Sequence, residues 1–373
     1  MKLANALVFI DGTFACGGIE FDSRFTAVGE DVKAEGDFTD CQGAYIIPGF
    51  VDIHTHAAVD EDASDGSVEG LEKMSVYYAA RGVTSWCPTT MTLGEDTLIK
   101  AVRAAASFAR PANGAKLAGV NLEGPFININ KKGAQNGEFV KAPDIDMFNR
   151  IYEASDGLVK LITIAPEEKG SAEFIREASK KVTVSLGHTD ADYDTAMKAY
   201  EAGASHTTHL YNAMPPLHHR KPGVIAAASD AGATVELIAD GFHSHPSVVR
   251  LTDRLFGDKL VLISDSARCA GMPDGDYELG GQPITMKNGK AVLKGTDTIA
   301  GSTIHLMDGF LRSIKFGVPM EHAVEASTIR PARVIGADGE IGSISPGKCA
   351  DFIVLSKDLE IIDVYIDGQK IER

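Results

Sequence analysis

Two histidines separated by a single residue, His54 and His56, follow an apolar, β-branched segment at residues 46–53. If this segment is a β-strand, alternate side chains point to one face, so the two imidazoles project the same way. Two imidazoles in that arrangement can bind one metal ion. A polar strand end with both rings in solvent explains the same residues, so the pair by itself leaves both interpretations open.

Other residue types that bind metals stand at the ends of strand-like segments farther along the chain. They are Glu123, His188, His209, His243 and Asp265. Asp265 follows the apolar segment 260–264, where a buried carboxylate is costly unless it is paired or faces a cation. A divalent metal held by imidazoles and a carboxylate, with open coordination for water, accounts for these positions together. His206, three residues before His209, is interpreted as a core histidine.

The elements that must position these residues alternate from Phe50 onward between apolar segments and Ala-rich helical patterns. Strands are predicted at 50–54, 83–87, 117–122, 159–164, 182–186, 204–208, 234–238 and 260–264. Helical patterns include 68–81, 96–109, 171–180, 191–202, 246–256, 302–316 and 321–330. This alternation predicts an α/β fold, a (β/α)8 TIM-like barrel with its functional residues at the carboxyl ends of the strands. A doubly wound sheet is the alternative, although no Gly-x-Gly-x-x-Gly follows the early strands.

Both ends of the chain have a different texture, with short strand-like runs and no helical period. They predict a small β domain built from both termini, residues 1–48 and 343–373, beside a catalytic barrel at 49–342. Gly-Gly and Asn288-Gly289 turn signals predict a β-hairpin insertion near 274–298. The first residues predict a strand ending in an Asp11-Gly12 turn rather than a signal peptide.

The composition restricts the partners and the compartment. The 373 residues are 44% hydrophobic and carry a formal net charge of −16, which disfavours nucleic acid, and no apolar run is long enough to span a membrane. Five cysteines without a Cys-x-x-Cys pair indicate a reduced, cytoplasmic protein. An anionic small molecule would need a local basic patch, and residues 218–221 form the densest one, with Arg220 suited to bidentate phosphate binding.

Sequence motifs add a family resemblance. The His54-Thr55-His56 segment and residues 347–352 resemble the first-strand and closing motifs of the amidohydrolase superfamily. Further blocks, in the same order along residues 48–355, resemble the branch of that superfamily that deacetylates N-acetylglucosamine 6-phosphate. These blocks are residues 123–126, 131–135, 187–189, 208–214, 238–243 and 263–265.

The resemblance implies a site and a reaction. Glu123, His188 and His209 would bind a divalent metal, zinc or iron, and Asp265 would act as general base and then general acid. A water activated by the metal would attack the amide, giving glucosamine 6-phosphate and acetate in amino-sugar catabolism. The implied substrate contacts are Ala134, Gln135, Asn212, Ala213, Arg220, His243, Ile299, Ala300 and Gly301. The resemblance also implies a homodimer in which Arg220 reaches the neighbouring active site.

One departure from the family pattern concerns the number of metal ions. His54 and His56 match a second metal site present in only part of the family, with Glu123 bridging both ions. Single-metal members lack this pair and carry a histidine where this chain has Gln135. We therefore hypothesise that a second ion takes over part of the carbonyl-polarising role.

Other functions stay open at this point. They are an N-acetylgalactosamine-6-phosphate deacetylase, another amidohydrolase acting on a small amide, and a non-catalytic relative that keeps the barrel as a scaffold. Cyclic amidases are disfavoured because the predicted fourth strand, 159–164, has no lysine at its end.

Overall fold

Eight parallel strands form a near-barrel in the computed structural model, which describes residues 1–372. In order around the ring they are Phe50–Thr55, Val83–Thr90, Val120–Glu123, Val159–Ile164, Thr183–Leu186, His206–Thr207, Thr234–Ile238 and Leu260–Ile263. Each pairs in parallel with the next. The ring closes where the backbone N–H of Asp265 donates to the carbonyl of His54 at 2.9 Å. The predicted fold class is confirmed.

The third strand departs from its prediction. Residues 117–122 do not form one strand. The chain instead forms a short piece, Lys116–Leu117, followed by the strand Val120–Glu123. Both pieces pair with Val83–Thr90, so they extend the same edge of that strand.

The first two strands, Phe50–Thr55 and Val83–Thr90, are buried throughout. Parallel strands that are covered on both faces need apolar side chains on both, so they are visible in the sequence as apolar runs.

Helices cover the outside of the ring and follow its strands. Their bounds are Val68–Ala79, Glu95–Ala106, Ile145–Ala154, Ser171–Ala178, Tyr193–Ala202, Gly223–Asp230, Pro246–Phe256, Leu306–Lys315, Met320–Ser327 and Ile329–Val334. Side-chain caps fix several starts; Ser67, for example, accepts the N–H of Gly70 at 3.0 Å. Within residues 1–372, no helix combines the length and the apolar character needed to cross a bilayer.

Two predicted helices near the end of the barrel need correction. The segment predicted at 302–316 becomes helical only at Leu306, after His305, which occupies the N-cap position. The segment predicted at 321–330 breaks at Thr328, whose φ and ψ are −133° and −86°. The reason for the break is Pro331, because proline cannot donate to the carbonyl four residues earlier and its ring collides with it.

The two ends of the chain build one mixed sheet beside the barrel. Its strands are Lys2–Ile10, Thr13–Phe21, Phe25–Gly29, Thr39–Asp40, Tyr45–Pro48, Phe352–Leu355, Ile361–Ile366 and Gln369–Lys370. The C-terminal strand Phe352–Leu355 lies antiparallel to Tyr45–Pro48, which runs parallel to Lys2–Ile10. The predicted Asp11-Gly12 turn joins the first two strands, and both residues have positive φ, 49° and 82°.

Gly49 is the single residue between the mixed sheet and the first barrel strand. Its N–H donates to the carbonyl of Asp351 at 3.0 Å. A Cβ at this position would lie 2.2 Å from Oγ1 of Thr84, so only glycine fits between the two layers. The sheet formed by both chain ends therefore fixes where the strand carrying His54 begins.

The segment predicted as a hairpin insertion is instead a three-stranded antiparallel sheet. Its strands are Gly275–Leu279, Gln282–Lys287 and Lys290–Leu293. Two strands were expected, but both turn signals are used, so the chain reverses twice. Leu279 packs in a buried cluster with Met91, which follows the second barrel strand. The inserted sheet therefore lies against the mouth of the barrel.

Candidate functional site

The carboxyl ends of the barrel strands bring six donor side chains together. His54 lies in the first strand and His56 just after it, Glu123 ends the third strand, and three further residues follow strand ends by two positions. Those three are His188, His209 and Asp265, and each has a positive φ, 47°, 24° and 49° respectively. All six side chains are at most 9% exposed. Left-handed backbone at three non-glycine residues is costly, and such residues concentrate at functional sites.

A first group of donors is Glu123, His188 and His209. Oε1 of Glu123 lies 3.1 Å from Nε2 of His188 and 2.7 Å from Nε2 of His209. The two Nε2 atoms are 3.1 Å apart. That separation is close to the ~3.3 Å edge of a tetrahedron with zinc–nitrogen bonds of about 2.0–2.1 Å. The arrangement therefore suits one small cation bound by both rings and the carboxylate.

A second group is His54, His56 and Glu123, which therefore belongs to both groups. Nε2 of His56 lies 3.2 Å from Oε2 of Glu123 and also 3.2 Å from Oδ1 of Asp265. Nε2 of His54 lies 3.5 Å from Oε1 of Glu123 and 3.7 Å from Oδ1 of Asp265. Nε2 of His54 is fully buried without a hydrogen-bond partner in the described residues. A buried, unpartnered nitrogen facing two carboxylates fits a metal ligand.

In three of the histidines, the hydrogen bond made by Nδ1 shows that Nε2 is the ring nitrogen that faces the site. Nδ1 of His56 donates to the carbonyl of Thr89 at 3.1 Å, and Nδ1 of His188 donates to that of Lys131 at 2.8 Å. Nδ1 of His54 donates to Oε2 of Glu236 at 2.8 Å. These bonds leave each Nε2 with a lone pair directed inward, as metal ligation requires.

The electrostatics of the site favour a cation. Burial alone would raise the pKa of Glu123, but the imidazoles His188 and His54 hold it well below its usual range. Burial would lower the pKa of His54, but the carboxylates of Glu236 and Glu123 raise it to about 9. Glu123, Glu236 and Asp265 form no ion pair with a lysine or arginine of residues 1–372. The carboxylates thus stabilise positive charge here, whether as a proton or as a metal ion.

A cavity of about 280 Å³ opens directly above these donors. Of the implied substrate contacts, it is lined by Ala134, Gln135, Asn212, Ala213, His243, Ile299 and Gly301. Asp265 also lines it, whereas Ala300 is fully buried and His54 lies beneath the surface. Gly301 packs so closely that a Cβ would lie 3.1 Å from the carbonyl oxygen of Asp265.

Arg220 does not line this cavity of its own chain. It lies exposed in the loop before the helix Gly223–Asp230, with one guanidinium nitrogen 2.7 Å from Nε2 of His219. None of the residues lining the cavity, within residues 1–372, is a lysine or arginine. A phosphate bound in this cavity would therefore have no lysine or arginine of the lining as a partner.

Two residues of the site were not predicted. Glu236, buried in the middle of the strand Thr234–Ile238, contacts His54 and His206; a carboxylate inside an apolar strand was the available signal. Asp240 binds Nδ1 of His243 at 2.7 Å, and that imidazole, opposing the effect of burial, holds the pKa of Asp240 below its usual value. Their partners lie elsewhere in the chain or across a turn, so spacing could not reveal these contacts.

His206 behaves as the sequence predicted. Its Nδ1 lies 2.6 Å from Oγ1 of Thr234 and its Nε2 lies 3.1 Å from Oε1 of Glu236, so both ring nitrogens are engaged. It is fully buried and outside both donor groups.

Gln135 accepts the N–H of Thr92 at 2.6 Å through Oε1, and its Nε2 donates to Oε2 of Glu123.

Comparison with known proteins gives consistent results. The model of the Amidohydrolase family matches residues 45–371. The chain is 38% identical over 325 residues to N-acetylglucosamine-6-phosphate deacetylase of Bacillus subtilis, covering 85% of this chain and 82% of that protein. It is 34% identical over 335 residues to N-acetylgalactosamine-6-phosphate deacetylase of Escherichia coli O157:H7, covering 89% of each.

A solved structure extends the similarity to the whole chain. It is a mutant of N-acetyl-D-glucosamine-6-phosphate deacetylase from Mycobacterium smegmatis in complex with N-acetyl-D-glucosamine-6-phosphate. The TM-score is 0.94 at 31% identity, with 100% of this chain and 99% of that chain covered.

Proposed function

Because this chain belongs to the amidohydrolase family, we propose that it hydrolyses the acetamide of N-acetylglucosamine 6-phosphate, releasing acetate and glucosamine 6-phosphate. The observation that carries the proposal is the convergence of Glu123, His188 and His209 beside Asp265 at the floor of a cavity. Two of the relatives described above, from Bacillus subtilis and Mycobacterium smegmatis, are named for this reaction, and the substrate is inferred from them. The reaction belongs to amino-sugar catabolism.

The residues fit a resident divalent metal. Two imidazole nitrogens and one carboxylate oxygen of the first group converge, and the second group adds the unpartnered Nε2 of His54. When bound, such an ion would lower the pKa of a coordinated water to about 7 and would polarise a carbonyl. Imidazole and carboxylate ligands suit zinc and iron alike, so we propose a zinc or iron ion held by Glu123, His188 and His209.

Asp265 is proposed to move the proton. Burial would raise its pKa, but hydrogen bonding with His56 and the charge of His54 hold it below the usual value, so the carboxylate starts ionised. Its backbone is fixed on both sides, since its N–H donates to His54 and its carbonyl accepts the N–H of Ser302 at 2.7 Å. The carboxylate takes one proton from the attacking water and returns it to the amine nitrogen as the C–N bond breaks.

The cavity lining is proposed to orient the sugar. His243 is held through Nδ1 by Asp240, which leaves Nε2 free to donate to a substrate oxygen. Gln135 lies beside Glu123 and can donate its remaining amide hydrogen to the amide carbonyl. Ala134, Asn212, Ala213, Ile299 and Gly301 complete the wall, whereas the buried Ala300 supports it from behind.

The sugar phosphate is proposed to bind Arg220 of a neighbouring subunit in a homodimer. The support is that no lysine or arginine lines the cavity within residues 1–372, while Arg220 is exposed in a basic loop. A charged hydrogen bond contributes about 1.5–3 kcal/mol. Arg220→Ala should therefore raise KM for the phosphorylated sugar about 10- to 100-fold and leave KM for N-acetylglucosamine nearly unchanged.

The control for this experiment is Arg176→Ala, which removes an exposed arginine from the helix Ser171–Ala178. Light scattering of the wild type measures the subunit number. A monomer, or an equal change of KM for both sugars in Arg220→Ala, would contradict the dimeric phosphate site.

A second ion at His54, His56 and Glu123 is also proposed. It rests on the geometry of that group and on Gln135, which replaces the histidine that single-metal relatives carry. Metal analysis of the purified protein should give two equivalents per chain, falling to one in His54→Ala. One equivalent in both proteins would refute the second site.

The decisive test of the reaction is acetate release from N-acetylglucosamine 6-phosphate, with and without a chelator. Turnover should stop after chelation and return when zinc or iron is restored. Absence of turnover in the fully metal-loaded protein would refute the proposed activity.

The galactosamine epimer is a second candidate, favoured by the 34% identity to N-acetylgalactosamine-6-phosphate deacetylase over 89% of the chain. A comparison of kcat/KM for the two phosphorylated sugars decides between them.

A cytoplasmic location stays a prediction. All five cysteines are free thiols in the structure, as a reducing compartment would allow.

A further inference from the structure

Glu236 lies beneath the site in a position that the proposed reaction does not use. Its side chain is 1% exposed, in the middle of the barrel strand Thr234–Ile238. An isolated buried carboxylate is expensive, so its partners must compensate the lost hydration. Those partners come from the first and sixth strands and from the residues that follow them.

Each carboxylate oxygen of Glu236 has its own hydrogen-bond partners. Oε2 accepts Nδ1–H of His54 at 2.8 Å and the backbone N–H of His209 at 3.0 Å. Oε1 lies 3.1 Å from Nε2 of His206, whose other nitrogen lies 2.6 Å from Oγ1 of Thr234. The carboxylate is thereby fixed from both sides, and it fixes the ring of His54.

Among the candidate histidine ligands, His54 is the one whose Nδ1 bonds to a carboxylate. The outer nitrogens of His56 and His188 bond to backbone carbonyls, and Nδ1 of His209 has no hydrogen-bond partner in the described residues. A carboxylate partner makes an imidazole a stronger ligand than a carbonyl does, and it also fixes the tautomer. The group His54, His56 and Glu123 therefore depends on Glu236 more directly than the group Glu123, His188 and His209 does.

We propose that Glu236 is a positioning residue that determines whether the His54/His56/Glu123 position holds a metal ion. It acts through His54 by holding Nδ1 and directing the lone pair of Nε2 toward Glu123. Its contact with His209 is to the backbone alone, so the ion bound by Glu123, His188 and His209 is retained without it. This inference rests on the metal sites of the proposed function and concerns which of them is filled.

The test is a zinc titration without substrate. Wild type and Glu236→Gln are stripped with a chelator, reloaded with graded Zn²⁺, and the bound zinc per chain is measured by elemental analysis. The wild type should bind two ions in two steps. In Glu236→Gln the step that His54→Ala abolishes should shift to about 10- to 100-fold higher zinc, while the other step stays in place.

Two further variants separate this role from a general structural one. Asp253→Asn removes another buried carboxylate that binds a histidine, Nδ1 of His322 at 2.9 Å, but lies away from the site, so both zinc steps should match the wild type. In a His54→Ala background, adding Glu236→Gln should change zinc binding no further, because the effect passes through His54.

Several outcomes overturn the proposal. They are one bound zinc ion per chain in the wild type, an unchanged titration in Glu236→Gln, or an equal shift in the binding of both ions. If Glu236→Gln does not fold, as circular dichroism would reveal, His206→Gln loosens the same carboxylate from the other side. An unchanged zinc titration in that variant then refutes the proposal.

Failure of the proposed activity is recognised separately. Zinc binding is measured without a substrate, so a protein that binds two ions but releases no acetate would refute the deacetylase assignment and leave the role of Glu236 standing.

Discussion

The interior of the barrel and the core of the mixed terminal sheet are both buried, but the barrel interior combines hydrogen-bonded polar side chains with apolar ones such as Leu161 and Ile238. Inside the barrel, Thr163 and Thr208 meet at 2.8 Å across non-adjacent strands, and Ser264 donates to Asp52 at 2.5 Å. The core of the terminal sheet is apolar and aromatic, with Phe352 and Tyr365 stacked at 4.4 Å between ring centroids.

The difference teaches how each region obtains its stability. An apolar core gains stability from the area it removes from water, and it tolerates changes that conserve volume. Each buried polar group requires its own partner, since an unsatisfied group costs about 1–3 kcal/mol. The barrel accepts this requirement because its inner polar groups position the site, whereas the terminal sheet only has to hold the barrel strands in place.

The largest effect is expected at the site itself. Asp265→Asn keeps the size of the side chain but cannot accept the proton, so kcat should fall about 10²- to 10⁴-fold. Metal content and melting temperature should stay close to the wild type. A rate near that of the wild type would remove Asp265 from the mechanism and weaken the distinction between the functional interior and the structural sheet.

In the terminal sheet, the largest expected effect is on stability alone. Phe352→Ala removes a buried ring that packs against Phe21, Phe25 and Tyr365, so the free energy of unfolding should fall by about 3–5 kcal/mol. The kcat of the folded fraction should be unchanged. Urea unfolding followed by circular dichroism measures the first quantity, and a large loss of kcat would show that the sheet also shapes the site.

The contribution of the hydrogen-bonded hydroxyls inside the barrel to stability can be tested by removing one of them. Thr208→Val leaves Thr163 and Ser185 without a shared partner, so the free energy of unfolding should fall by about 1–3 kcal/mol. Replacing all three, as Thr163→Val, Ser185→Ala and Thr208→Val together, should recover much of that loss because no hydroxyl is then left unpaired. A triple variant whose loss is the sum of the three single losses would contradict this account.

The smallest expected effect belongs to a conservative change in the apolar core. Ile19→Val removes one methylene from a fully buried side chain of the terminal sheet, and the free energy of unfolding should fall by about 0.5–1.5 kcal/mol. Denaturant titration measures it beside Thr208→Val. A loss larger than that of Thr208→Val would reverse the ranking of the two cores.

Much of the fold follows from the sequence because buried parallel strands leave a plain signal. Segments such as 159–164 and 234–238 are predicted with the bounds that the structure has, since both faces of these strands are covered. The incorrect predictions concern segments whose local sequence pattern is compatible with more than one structure. The helix pattern at 321–330 does not show on which side of Pro331 the helix breaks, and two turn signals were counted as one hairpin.

For the site, the sequence alone determined which residue types stand at strand ends, because imidazoles and carboxylates interrupt otherwise apolar segments. It predicted His54, Glu123, His188, His209 and Asp265 as candidates, and the motifs linked them to a family. Tertiary structure decided how these residues are partnered. The closed ring of strands places Asp265 beside His54 and Glu236 under it, contacts that join distant parts of the chain and that no local spacing encodes.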